Sequence, residues 1–230
     1  MELLMRNLFK CHFAYLLNRK SILIFNIVNA FVILYFYSNK DCQPTSNFEN
    51  YYQTAIIMIK VSFSFITIYL LAISIYKQND YYIFYLLTSN ISRSQYIISK
   101  LLLILFIVFI DFCFLLIAFL YIGFLFNPSF YFKAMFLWGF LSTYFIVIIY
   151  GLYAMLLMQL FQNFIVIVIP FMLLIMTNDI DLENTLANLI VIIFPVLRSF
   201  NFYHCLNLLW LIFMLVYLNI KIYCYKDLNY

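Results

Sequence analysis

Charge and glycine are what this chain has least of. Among 230 residues only 10% are charged, and there are three glycines and four prolines. A soluble globular domain is about a quarter charged and nearer half apolar, whereas here apolar residues reach 67% and mean hydropathy is +1.02. A soluble domain is excluded. The glycines Gly123, Gly139 and Gly151 lie within or beside apolar runs and none precedes a lysine. A phosphate-cradling loop needs G-x-x-x-x-G-K-[ST], so the chain carries no ATP-hydrolysing loop of its own. Cys11, Cys42, Cys113, Cys205 and Cys224 include no C-x-x-C pair, which argues against a zinc site. His12 and His204 have no serine or carboxylate at motif spacing and read as interface anchors rather than catalysts.

What the chain has in abundance is uncharged apolar sequence, in runs of about 17 to 26 residues that match a hydrocarbon core about 30 Å thick. These runs are apolar on every face, not alternating, so helices are predicted rather than a barrel. Residues 2–18 form a basic amphipathic helix lying in the interface, with Arg6 and Lys10 a turn apart. They lack a small-residue cleavage site after a short apolar core and are expected to remain in the mature protein. Spans are predicted at residues 21–37, 53–76 and 101–126. Residues 134–177 are apolar for about twice a membrane thickness, and Gln159, Gln162 and Asn163 are the place to fold them into two spans. The last span is 204–223. Residues 178–203, interrupted by Pro195 and closed by Arg198, read as a re-entrant or interfacial hairpin on the outer side. The fold class is therefore all-α integral membrane, one membrane domain over the whole chain with about six spans.

Charge fixes the orientation. With that layout Arg6, Lys10, Arg19, Lys20, Lys77, Arg93, Lys100, Lys221 and Lys226 fall on one side, and only Lys40, Lys133 and Arg198 on the other. Positive residues favour the cytoplasmic side, so both termini are expected inside the cell membrane. An excess of Phe, Ile, Tyr and Asn hints at an AT-rich bacterial genome. The acidic group Asp179, Asp181 and Glu183 then lies outside and reads as a solvated face. Cys42 and Cys205, nearest the outer side, are not expected to pair.

The stretch "YYIFYLLTSNISRSQYIISK" interrupts the apolar runs on the cytoplasmic side. Asp80 can cap a short helix of Tyr81, Tyr82, Ile83, Phe84, Tyr85, Leu86 and Leu87, almost wholly apolar yet too short to span a membrane. Such a patch needs cover. Ser92 and Gln95 then make an S-x-x-Q capping box for the next helix, on which Arg93 and Lys100 lie two turns apart on one face.

This pattern resembles the type-2 ABC exporter permease family: an elbow helix before the first span, a short cytoplasmic helix after the second, Arg and then Lys seven residues later leading into the third, and a tail like "YCYKDL". The resemblance implies that residues 81–87 are a coupling helix, with Arg93 beside it, docking on a pair of cytoplasmic ABC ATPase subunits. Those partners would bind ATP and Mg; no cofactor is expected in this chain. A second permease copy or paralogue is implied as well, and no nucleic-acid partner. The expected function is export of a hydrophobic or amphipathic peptide, lipid or drug.

Within the spans, Asp111 and Lys60 are the candidate intramembrane polar site. Asp111 reads either as a substrate or gating contact or as a protonated or locally hydrogen-bonded carboxyl. Lys60, about two turns from the outer edge of its span, is expected to snorkel outward, and no stable pair between the two is expected. An intramembrane enzyme would need clustered Glu, His or Asp in the spans, where Asp111 stands alone. A non-catalytic immunity or scaffold protein is the remaining alternative.

Overall fold

The computed structural model describes residues 20–38, 48–73, 75, 92–127, 134–176 and 202–225. Its elements are α1 (Lys20–Ser38), α2 (Phe48–Ile73), α3 (Arg93–Phe126), α4 (Ala134–Phe161), a 3-10 turn (Phe164–Ile167), α5 (Val168–Met176) and α6 (Phe202–Tyr225), with no strand among the described residues. α2, α3, α4 and α6 are long and apolar enough to cross a membrane. The described residues are helical, and their long apolar helices make the chain a multi-pass membrane protein. The expected interfacial helix at 2–18, the short aromatic segment at 81–87 and the hairpin before Phe202 lie outside the described residues.

Local chemistry sets the helix ends. Ser92 Oγ accepts from the Gln95 backbone N–H at 3.2 Å, and Gln95 Oε1 accepts from the Ser92 N–H at 3.1 Å, so the predicted capping box starts α3. At 34 residues α3 is about 50 Å long, some 20 Å more than a hydrocarbon core. Its polar residues Arg93, Ser94, Gln95, Ser99 and Lys100 place that surplus at its N-terminal end.

α4 ends at Phe161 because Gln162 turns into the left-handed region, with φ 52°. Asn163 Oδ1 then accepts from the Ile165 N–H at 3.1 Å and opens the 3-10 turn. The predicted break is where the polar cluster put it. The segment that follows, 164–176, is about 20 Å long. That is short of a full crossing by itself, and it packs on α4 and α2, with Phe171 and Phe65 5.5 Å apart.

Packing between helices fixes their directions. Tyr52 stacks on Phe136 at 4.0 Å near the starts of α2 and α4, and a Cβ on Gly151 would lie 2.5 Å from Leu71 Cδ1 near their ends, so these helices are parallel. Tyr51 Oη donates to Phe119 O at 2.6 Å while Phe63 meets Phe112 at 5.7 Å, so α2 and α3 are antiparallel. Asn29 meets Asp111 and Tyr37 meets Phe126 at 5.4 Å, so α1 runs with α3. Trp138 meets Phe202 at 5.4 Å and Leu152 meets Asn219, so α4 and α6 are parallel. The last relation carries a topological consequence: the chain between Phe161 and Phe202 returns to the side from which α4 began. The starts of α1 and α3 and the ends of α2, α4 and α6 share one end of the bundle. Arg93, Lys100 and Lys221 all belong to that end.

Candidate functional site: a polar layer inside the bundle

Asp111 projects from the third turn past Lys100 on α3 and is 9% exposed. Its partner is Asn29 on α1, whose Nδ2 sits in the fork of the carboxylate, donating to Oδ1 at 2.8 Å and to Oδ2 at 2.9 Å. Asn29 is 2% exposed, and its own Oδ1 has no hydrogen-bond partner. Of the two readings of Asp111, the hydrogen-bonded carboxyl describes its surroundings. Asn29 was not singled out in the sequence, although an asparagine in the middle of an otherwise apolar span is itself a signal of an interhelical contact.

Lys60 corrects an expectation. It does not snorkel outward: it is buried in the bundle, 3% exposed, at the middle of α2. The cause is the helix start. α2 begins at Phe48, five residues ahead of the predicted Gln53, and so the lysine lies a turn or more deeper. The register of α2 on α3 puts Lys60 within about 5 Å of the depth of Asp111, closer than the spacing along each predicted span implied. Asp111 nevertheless takes its hydrogen bonds from Asn29 rather than from Lys60.

Hydroxyls near this level are satisfied by their own helices. Ser64 donates to Lys60 O, Thr67 to Phe63 O at 2.9 Å, and Thr143 to Gly139 O at 2.9 Å. The remaining wall is aromatic. Tyr144 of α4 meets Phe112 at 5.0 Å, Phe109 at 5.8 Å and Phe63 at 6.4 Å, which sets three helices around one ring cluster at the depth of Asp111 but turned toward α4.

Arg93 and Lys100 lie at the basic end. Arg93 opens α3 and is half-buried, while Lys100 is buried, donating from Nζ to Tyr96 Oη at 3.3 Å with its ammonium 5.3 Å from that ring's centroid. Tyr96 in turn stacks on Tyr223 of α6 at 6.3 Å. Tyr81, Tyr82, Ile83, Phe84, Tyr85, Leu86 and Leu87 are outside the described residues.

Cys205 is a free thiol with Sγ 3.2 Å from Ser142 Oγ, and Cys42 is not described. Among the described residues no group of three His, Cys, Asp or Glu comes close enough to hold a metal. The polar layer thus sets a carboxyl, an amide with an unpartnered oxygen and a buried lysine inside an apolar wall. No family model, curated protein or solved structure matches the chain.

Proposed function

We propose that the chain is the membrane-spanning permease subunit of an ATP-driven, ABC-type exporter for a hydrophobic or amphipathic substrate. The observation that carries this reading is the set of helix directions. α1 and α3 run one way, and α2, α4 and α6 the other. Counting α1 and one return crossing between Phe161 and Phe202, about six spans result. Both the end of α2 and the capped start of α3 then lie at the basic end of the bundle, which is the cytoplasmic end by the charge rule. In sequence the aromatic residues 81–87 fall between these two helix ends, which in this reading is the side where ATP is available.

In this reading ATP and Mg are bound by partner ATPase subunits, and a second permease copy or paralogue completes the pathway. The long N-terminal overhang of α3 is a rigid lever: it is helical from Arg93, ahead of the hydrocarbon core, and continuous through Asp111 to Phe126. Movement of residues 81–87 by an ATPase would be transmitted along it to the polar layer.

The test is co-purification of the full chain from native membranes with a nucleotide-binding subunit identified by mass spectrometry. Phe84→Asp should insert normally and lose that subunit, because it places an unpaired charge in a packed protein groove. A Phe84→Asp protein that inserts and still retains the ATPase sinks the coupling-helix assignment.

A further inference from the structure

The Asn29–Asp111 pair holds more acceptors than donors. One buried carboxylate receives a single amide nitrogen, which leaves lone pairs on both carboxylate oxygens. The amide oxygen beside it has no partner. By amide bond lengths that oxygen is about 2.3 Å from Nδ2, and hence within about 5 Å of the carboxylate. A neutral amide does not cancel a carboxylate's charge, and at membrane depth an uncancelled charge is costly. Lys60 lies at a similar depth on α2 but gives Asp111 no hydrogen bond, so the pair is short of one positive charge bearing N–H donors.

The surroundings give that charge a body. Phe114 lies one turn on from Asp111 on the same face of α3, whereas Phe109 and Phe112 turn to Tyr144 of α4. Asp111 is buried whereas Phe114 is more than half exposed, so this face of α3 runs from the bundle interior to its lipid-facing surface. Ring faces attract a cation, and their breadth suits an alkyl or aryl chain. Ile110, beside Asp111, is exposed to the bilayer as well.

We propose that Asn29 and Asp111 form a binding site for the protonated primary amine of a lipophilic molecule that enters from the bilayer at the α1–α3 seam. The ammonium sits between the Asp111 carboxylate and Asn29 Oδ1, donating to both, with its apolar chain along Phe114. This deepens the exporter reading by naming a cargo class and rests on it for transport; binding itself requires no ATPase.

The experiment measures saturable binding of radiolabelled dodecylamine to the full chain in phosphatidylcholine nanodiscs. Binding is expected to be saturable and to be displaced far better by unlabelled dodecylamine than by dodecyltrimethylammonium, which has no N–H, or by dodecanol, which has no charge. Asp111→Asn keeps an amide partner for Asn29 while removing the charge. It should stay folded by thermal unfolding and bind at least about tenfold more weakly, the scale of a charge-assisted hydrogen bond. Asn29→Ala should narrow the preference for the primary over the quaternary amine. Equal binding by a folded Asp111→Asn protein, equal displacement by dodecanol, absence of saturable binding, or displacement by excess sodium chloride would each overturn the proposal. Phe84→Asp separates the two readings: amine binding that survives in it while no ATPase co-purifies with the wild type removes the exporter and leaves this site standing.

Discussion

In the apolar stretches of α2 and α4, 67% and 72% of residues are buried inside the bundle, whereas in α3 and α6 the figures are 39% and 22%. The ranking does not follow hydrophobicity, for α3 is the most apolar of the four. In water the most apolar helix would be driven to the centre. In a bilayer, lipid tails are as apolar as a leucine core, so association is decided by close packing and polar contacts. The central pair has both. Gly139 and Gly151 lie on α4 with Ser142 and Thr143, and α2 carries Ser62, Ser64 and Thr67, all buried. α3 and α6 instead turn rows of large side chains outward, among them Phe106, Phe114 and Tyr121 on one and Trp210, Phe213 and Tyr217 on the other.

The sharpest way to break this contrast is to remove one large ring from each region. Tyr52 is 1% exposed and stacked on Phe136 at 4.0 Å. Tyr52→Ala leaves a cavity between α2 and α4 and is expected to destabilise the chain by about 3 kcal/mol. Tyr217→Ala removes the same atoms from a side chain that is 57% exposed and should change stability by less than about 0.5 kcal/mol. Reversible unfolding in mixed micelles measures both. Equal losses would mean that the exposed face of α6 is covered by protein.

A smaller effect tests how α6 is held. Asn219 is fully buried and donates from Nδ2 to Leu152 O of α4 at 3.2 Å and to Leu215 O of its own helix at 2.9 Å. Asn219→Leu keeps the volume and loses the interhelical bond. The expected cost is about 0.6 to 1 kcal/mol, the scale of such bonds in membranes, read by the same unfolding measurement. A gain in stability would show that lipid-like packing alone holds α6 on α4.

Features set by local chemistry were legible in the sequence. The capping box at Ser92 and Gln95 and the break at Gln162 and Asn163 depend on residues within a turn of each other, and both are present. Lys60 was misplaced because Phe48, Glu49 and Asn50 dilute the apolar run at the start of α2 without ending the helix. The direction of α6 relative to α4, the partnership of Asn29 with Asp111 and the centrality of α2 and α4 are tertiary facts. A helix apolar on all sides carries no stripe that says which face meets protein, and so a polar residue such as Asn29 is the better guide to what faces inward.

The smallest expected effect concerns the two tryptophans, which happen to sample both environments. Trp138 on α4 is half-buried with its ring 5.4 Å from Phe202, and Trp210 on α6 is 67% exposed. If lipid covers the outer face of α6, a brominated acyl chain touches the Trp210 indole directly, while α6 shields part of Trp138. In vesicles of brominated phosphatidylcholine, the Trp138→Phe protein, which retains Trp210, should therefore lose a larger fraction of its fluorescence than the Trp210→Phe protein. Neither substitution should shift stability by more than about 0.5 kcal/mol, since one ring replaces another at a site that is at most half-buried. Weaker quenching of Trp210 than of Trp138 would place protein rather than lipid on α6, and a partner subunit would then share the role that α2 and α4 play alone within this chain.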